Sequence, residues 1–487
     1  MSDSDSVLET PAGPKVDWGR VLQEKITAPT LQVVVNPLLR RGSPIHRRAF
    51  DELRKLGADY VRFVPWFPYP RLSIAELYPP ADGKTSWDFT LVDPPTIDFL
   101  EATQGHSVML NFSTIPPWMF KTEQPPAYPD DPDQPIWDYQ KGTELRDPSL
   151  KEFGDYFARL VAWYTQGGFE DEYGQRHESG HHYKIACWEV LNEPDFEHGT
   201  TPEQYTERYD AAVSAIRRVA PDMQFVGLSL AMPSWSPHFF EHFLNPQNHR
   251  PGIPLDWISY HFYAVPAPDE SLDVQQHTYF AQADGFLNTV RYVETIRRRL
   301  SPHTRTTINE IGAIRADDML QSRPGHVAEP IPPAYWNLAA ATYAYLFAHL
   351  AALGIDVAGE SQLVGYPSQF PSVTMVDWNT GAPNARYRVL ELLLKHFAAG
   401  GQVVGMAADS PRSPFYHAQA FVTRGRRALL LVNKRDRSQA IALPGFAGAT
   451  AEVVDQGTAG GPARSERLAG ETFDLPGLAV AVLTLPE

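Results

Sequence analysis

Two glutamates stand where apolar, β-prone runs give way to polar ones. Glu193 lies in Trp188-Glu189-Val190-Leu191-Asn192-Glu193-Pro194-Asp195 and Glu310 in Thr306-Thr307-Ile308-Asn309-Glu310-Ile311-Gly312. The C-terminal mouth of a strand is where a parallel α/β barrel keeps its reactive groups. Two carboxylates delivered there by different strands are what cleavage of a glycosidic bond requires, one attacking the anomeric carbon and one handling the proton of the leaving oxygen. The two tasks need opposite protonation states. Glu193 as acid calls for a pKa raised by burial and by a neighbouring negative charge, whereas Glu310 as nucleophile must stay ionised and needs donors such as Arg62 and Tyr263. Asn192 carries an amide that can donate to a sugar 2-hydroxyl, and Pro194 stops the strand. Asn-Glu-Pro alone is compatible with a generic turn and a solvated glutamate; the second Asn-Glu, Asn309-Glu310, argues against that.

Such a pair needs a scaffold that brings distant strands to one mouth. β-prone runs at 31–35, 60–64, 107–112, 184–191, 224–230, 257–263, 306–311 and 355–359 alternate with amphipathic stretches at 46–56, 95–103, 150–164, 202–219, 284–300, 334–353 and 384–397. Eight such alternations fit a (β/α)8 TIM barrel over residues 26–399 better than an open sheet. Glu193 then ends the fourth strand and Glu310 the seventh. Thr201 and Gln204 predict a capping box at the start of the helix at 202–219. From residue 400 to 487 short β-rich pieces at 418–423, 427–433, 440–443, 451–454 and 478–485 are separated by Gly, Pro, Asp and Ser. They predict an antiparallel β-sandwich, to which residues 1–25 are expected to add an edge strand.

Composition narrows the partners. A net charge of −16 disfavours nucleic acid and anionic membranes, leaving a neutral or small partner, an oligosaccharide or glycoside. No run approaches a membrane span. The acidic start, 1–14, has neither the basic beginning nor the apolar stretch of a signal peptide, so a cytoplasmic location is the default expectation. Cys187, the single cysteine, excludes an internal disulfide and a cysteine-based metal cage, and reads as a buried thiol. His177-Glu178-Ser179-Gly180-His181 matches the zinc-protease pattern H-E-x-x-H. That chemistry needs both histidines on one helix face, which Ser179, Gly180 and the strand soon after make unfavourable, so the stretch reads as a solvated loop without metal. Trp66, Trp118 and Trp188 fall near strand ends. Trp66 and Trp118 are candidates to stack on a sugar ring, and Trp188, inside the strand, is a packing residue.

The segment from Trp188 to Asp195, with the Gln204-Tyr205 to Tyr209 helix after it, resembles the acid/base region of clan A glycoside hydrolases. Within the clan it most resembles family 39, the β-xylosidase and α-L-iduronidase group. The resemblance implies a retaining enzyme on a (β/α)8 barrel with an appended β-sandwich and no cofactor. It implies Glu193 as acid/base with Asn192 its partner, Glu310 as nucleophile, Arg62 as the arginine holding that nucleophile ionised, and His261 and Tyr263 as the pair that touches sugar and nucleophile. A β-xylosidase acting on xylo-oligosaccharides is the expectation. A β-glucosidase, a β-galactosidase, an arabinoside-cleaving enzyme and a non-catalytic carbohydrate-binding barrel are the alternatives. Two departures bear on the sugar. Val64 stands where family members often carry a histidine, and Ala358-Gly359-Glu360-Ser361-Gln362 replaces the clan's strand-eight tryptophan, so that Glu360 or a neighbouring amide is expected to meet the sugar.

Overall fold

The computed structural model describes residues 13–486 except 126, 138–141, 321–329, 367–369 and 398–399. Most of the acidic start at 1–14, and residue 399 at the expected end of the barrel, lie outside the described residues.

Eight parallel strands close into a barrel: β1 (Ala28–Val34), β2 (Val61–Val64), β3 (Val108–Leu110), β4 (Cys187–Glu189), β5 (Gln224–Leu230), β6 (Trp257–Ala264), β7 (Arg305–Ala313) and β8 (Val357–Glu360). Each is followed by a helix: α1 (His46–Leu56), α2 (Asp93–Ala102), α3 (Lys151–Thr165), α4 (Pro202–Ile216), α5 (Pro237–Phe243), α6 (Leu272–Leu300), α7 (Pro333–Leu353) and α8 (Ala385–Phe397). The strands are buried on both faces, which is why they read as continuous apolar runs. The capping box forms as read: Thr201 accepts from the Gln204 amide and Gln204 from that of Thr201. Helix α5 was not legible, and α6 begins well before the expected residue 284.

Side chains two apart along a strand share a face, so the lumen is filled in layers. Met109, Cys187, Val226, Trp257 and Val357 form a dry floor, and the Arg305 guanidinium closes it from below, 3.6 Å from the centre of the Trp257 ring. Cys187 is thus a packed thiol. One step higher the same faces present Arg62, Asn111, Glu189 and Ser259, a polar layer directly above the apolar one.

At the other end of the chain, strand Val16–Gln23 pairs antiparallel with Gly401–Met406 at the edge of a seven-stranded antiparallel sheet. Strands Gln439–Ala442 and Thr472–Leu475 form a second, two-stranded layer. Alternation along Arg426–Asn433 explains how the sheet serves two cores. Leu429 and Leu431 face the second layer, while Leu430 and Val432 face the barrel helices. Phe421 joins Phe347 of α7 and Phe397 of α8, the latter with ring centres 4.3 Å apart. Three strands of this module escaped the sequence reading: Arg464–Arg467 and Thr472–Leu475, which are short and rich in polar residues, and Gly401–Met406, whose short apolar run lies between two glycines. The stretch His177-Glu178 is neither helix nor loop. It forms the second strand of a small hairpin, Gly168–Glu170 with Arg176–Glu178, in which His177 Nε2 lies 3.0 Å from Asp171 and His181 Nε2 3.5 Å from Asp93.

A buried ion pair ties the last helix to the barrel. Arg386 of α8 donates to Glu360 at 2.8 Å and to the carbonyls of Ser361 and Ser372. Burial raises the Glu360 pKa to about 7 against the pull of Arg386. Arg386→Met is expected to destabilise by about 3–5 kcal/mol, the cost of stranding one buried charge, and pairing it with Glu360→Leu should recover most of the loss. Thermal unfolding of the single and double variants checks this; an unchanged melting temperature in the single variant contradicts it.

Candidate active site

Consecutive residues on a flat strand point to opposite faces, so neither Asn192-Glu193 nor Asn309-Glu310 could turn both members inward without a local irregularity. Each segment has one. On β7 the register with β6 shifts between Thr307 and Glu310, and that with β8 between Ile308 and Ile311. This bulge admits both Asn309 and Glu310 to the lumen. Gly359 makes the room: a Cβ there would lie 3.0–3.3 Å from the backbone of Asn309. After β4 the chain instead leaves the strand through left-handed backbone at Leu191 (φ 64°) and Glu193 (φ 42°), bringing Asn192 and Glu193 to the mouth together.

Arg62, fully buried on β2, binds this ring of groups into one unit. Its Nε donates to Glu189 at 2.5 Å, Nη1 to Gln32 at 2.7 Å and to Glu310, and Nη2 to Asn192 at 2.6 Å and Ser229 at 3.1 Å. A guanidinium has five N–H groups, and all five are used. Glu189 is equally saturated, accepting also from Asn111 at 2.6 Å, Ser259 at 2.5 Å and Asn309 at 2.7 Å. Buried charge survives only with such partners. Glu189 escaped the site reading, although a carboxylate within an apolar strand run is itself a signal that partners exist.

Above this layer the two glutamates meet. One carboxylate oxygen of Glu193, one of Glu310 and a ring nitrogen of His261 all lie within 4.8 Å of one another. His261 Nδ1 is 2.8 Å from Glu193 Oε1 and 3.6 Å from Glu310 Oε2, and its Nε2 is 3.0 Å from Ser229 Oγ. The Tyr263 hydroxyl donates to Glu310 Oε2 at 2.6 Å and sits 2.6 Å from Ser361 Oγ. Gly312 leaves space for that ring, since a Cβ there would come within 2.8 Å of it.

The surroundings drive the two acids apart. Burial raises Glu193, and the Glu310 charge adds to it, against the hydrogen bond and charge of His261. Burial would raise Glu310 too, but the charges of His261 and Arg62 and the bonds from Tyr263 and Arg62 outweigh it and hold its pKa below the ordinary value. His261 is raised: burial opposes its charge, and Glu310 and Glu193 overcome that. Two neighbouring carboxyls with pKa values pushed in opposite directions are the arrangement that acid/base work by one and nucleophilic attack by the other would need.

A third carboxyl belongs to the same site. Glu197, buried four residues past Glu193, accepts from Trp66 Nε1 at 2.6 Å and Asn192 Nδ2 at 2.8 Å, and burial together with the Glu193 charge raises its pKa well above the ordinary value. The spacing of Glu193 and Glu197 could have suggested it. Trp66 is held at the mouth and packs with Phe67, Trp137 and Phe370. Val64, in register with Arg62, is buried. Two sequence candidates are not brought to the pair. Trp118 is buried, donating to the Glu76 carbonyl at 2.8 Å with Arg146 over its ring. Glu360 faces Arg386 in the helix layer, because the pleat that turns Ser361 inward turns its neighbour out.

Glu193, His261 and Glu310 are of the right types to ligate a cation. Nδ1 of His261 is bonded to Glu193, and Arg62 supplies positive charge at Glu310.

Residues 160–309, which contain Glu193 and His261 and stop one residue short of Glu310, match the sequence model of Glycosyl hydrolases family 39. Residues 417–483 match that of D-apionate lactonase, C-terminal immunoglobulin-like domain. No curated protein matches the chain. Among solved structures the fold is similar to a family 51 α-L-arabinofuranosidase from Bifidobacterium longum, with a TM-score of 0.65 at 14% identity, covering 98% of this chain and 100% of that one. It is similar to a GH51 arabinofuranosidase from Xanthomonas axonopodis pv. citri (TM-score 0.64, 12% identity, 98% of each chain). A GH30 endoxylanase from Clostridium papyrosolvens C71 aligns at TM-score 0.60 and 12% identity, over 98% of this chain and 100% of that one. At such identities these likenesses establish the fold.

Glu197→Ala would strand the Trp66 and Asn192 donors, costing about 1–3 kcal/mol for each donor left unsatisfied. Glu197→Gln keeps an acceptor oxygen and should unfold near the wild-type temperature. Equal melting temperatures for the two variants would show that the carboxyl does not organise the mouth.

Proposed function

We propose that this chain is a glycoside hydrolase that releases terminal β-linked sugars with retention of configuration, Glu310 as nucleophile and Glu193 as acid/base; the family 39 match over residues 160–309 and the barrel fold shared with glycoside hydrolases support the reading. The approach of the two carboxylates within 4.8 Å carries the reading. Retaining enzymes hold this pair about 5–5.5 Å apart, whereas inverting ones leave about 6.5–9.5 Å for an intervening water.

In the first step a Glu310 oxygen bonds to the anomeric carbon as the bond to the leaving oxygen breaks, and Glu193 gives its proton to that oxygen. Esterified Glu310 no longer carries charge, so the pKa of Glu193 falls and it takes a proton from the water that attacks the glycosyl ester. Glu310 leaves as carboxylate with Arg62 and Tyr263 again as its donors. Asn192, fixed by Arg62 through its oxygen and by Glu197 through its nitrogen, keeps one N–H for the sugar 2-hydroxyl, a bond that strengthens as oxocarbenium character develops. β-Xylosides are the first substrate to test, with β-glucosides, β-galactosides and arabinosides next. Ser361 stands in place of an aromatic floor, with its hydroxyl bonded to Tyr263 and Gln32.

A second chemistry deserves a control. Ser229, His261 and Glu193 are spaced like an acyl-transfer triad, at 3.0 and 2.8 Å, and the C-terminal match is to a module of a lactonase. Ser229 is fully buried and its oxygen accepts from Arg62, so it has no path to a substrate carbonyl and serves instead to orient His261.

Glu310→Ala should abolish turnover and be rescued by azide with inverted product. Glu193→Ala should lose about 10²–10⁴-fold on poor leaving groups and little on good ones. Opposite stereochemistry of rescue would exchange the two roles. kcat/KM should rise with pH as Glu310 ionises, below the usual carboxylate range, and fall as Glu193 ionises, above it. A profile lacking the upper limb contradicts the acid assignment. Faster opening of a sugar lactone than of any glycoside would favour acyl transfer.

A further inference from the structure

Nine large apolar side chains are exposed among the described residues, and three of them lie on the two bonded loops that follow β4 and β5 at the barrel mouth: Phe196 at 63%, Met232 at 45% and Trp235 at 80%. Phe196 follows the acid/base segment, and Met232 and Trp235 lie on the segment leaving β5. The Asp195 carboxylate staples the two loops together, accepting from the Ala231 and Met232 amides at 3.0 Å each. The Phe196 amide donates to the Glu193 carbonyl at 2.9 Å and that of Trp235 to Met232 at 2.9 Å. The apolar side chains therefore stand on a fixed backbone, beside the acid, with their faces in water. Scattered exposed hydrophobics are ordinary; a group held together at a reactive mouth marks a contact surface.

Position gives that surface a task. Glu310 accepts from Arg62 of β2 and Tyr263 of β6, and Gln32 of β1 and Ser361 just past β8 bond to Tyr263 and to each other behind it, so the sugar that becomes bonded to Glu310 lies on that side. The leaving oxygen takes its proton from Glu193, and whatever that oxygen carries departs past β4 and β5. We propose that Phe196, Met232 and Trp235 form the leaving-group subsite, a platform for a ring with an apolar face, either the next sugar of an oligosaccharide or an aromatic aglycone. The inference rests on the reading of Glu193 as the acid.

The test compares wild type with Trp235→Ala and Phe196→Ala on three substrates of one sugar: the glycosyl fluoride, whose leaving group is too small to reach the platform, the 4-nitrophenyl glycoside, and the disaccharide. Both side chains are exposed, so both variants should fold and hydrolyse the fluoride as wild type does. Trp235→Ala should lower kcat/KM about three- to tenfold on ring-bearing leaving groups, the scale of one aromatic contact, chiefly through KM. A loss confined to the disaccharide identifies a sugar subsite, and a loss confined to the nitrophenyl glycoside an aromatic one. Equal losses on all three substrates, or no loss on any, would overturn the platform. A wild-type enzyme inert toward the fluoride would instead sink the reading of the carboxylate pair.

Discussion

Five N–H groups of one guanidinium hold the mouth of this barrel together. Arg62 reaches Gln32 on β1, Glu189 and Asn192 on and beyond β4, Ser229 on β5 and Glu310 on β7, and each contact constrains the others because the fork is planar and rigid. An arginine in the lumen of a barrel is a severe desolvation cost unless every donor and its charge are answered. Here Glu189 answers the charge and is itself saturated, which leaves the field of Arg62 to act on Glu310. The same contact therefore serves folding and the proposed chemistry: it fixes where Glu310 sits and favours its ionised form.

The opposite bias on Glu193 comes from the same construction. With Arg62 engaged on Glu310, Glu193 has His261 as its partner and two further carboxyls, Glu310 and Glu197, as neighbours. Glu193, Glu197 and Glu310 share a small buried volume; burial and mutual repulsion raise the first two, while His261, Arg62 and Tyr263 together hold Glu310 low. That asymmetry sets two chemically identical side chains apart, as the proposed acid and nucleophile of glycosidic cleavage require.

Much of this was legible in the chain. The eight strands announced themselves because a parallel barrel buries both faces of each, and the glutamates because they end two of those runs. What the chain concealed were partnerships across long sequence separations. Glu189 sits three residues before Asn192, yet its meaning depends on Asn111, Ser259 and Asn309 from three other strands. Glu360 was misplaced for a related reason. It ends its strand, and without a bulge or a left-handed turn of its own the pleat sends it outward to Arg386. Strand ends are visible in a sequence; the one-residue irregularities that decide which side chain turns inward are not. Trp118 and the His177–His181 stretch show the same limit, since residue type alone placed them near chemistry that their actual neighbours do not support.

The account stands on Glu310 as the residue that becomes covalently bonded to the sugar. The most direct measurement is to trap that bond with the 2-deoxy-2-fluoro analogue of the best substrate, carrying a good leaving group, and to locate the label by peptide mass spectrometry. A stoichiometric glycosyl adduct on Glu310, decaying as activity returns, is the predicted result. A label on Glu193 or Glu197, or turnover with inversion and no adduct, would contradict it.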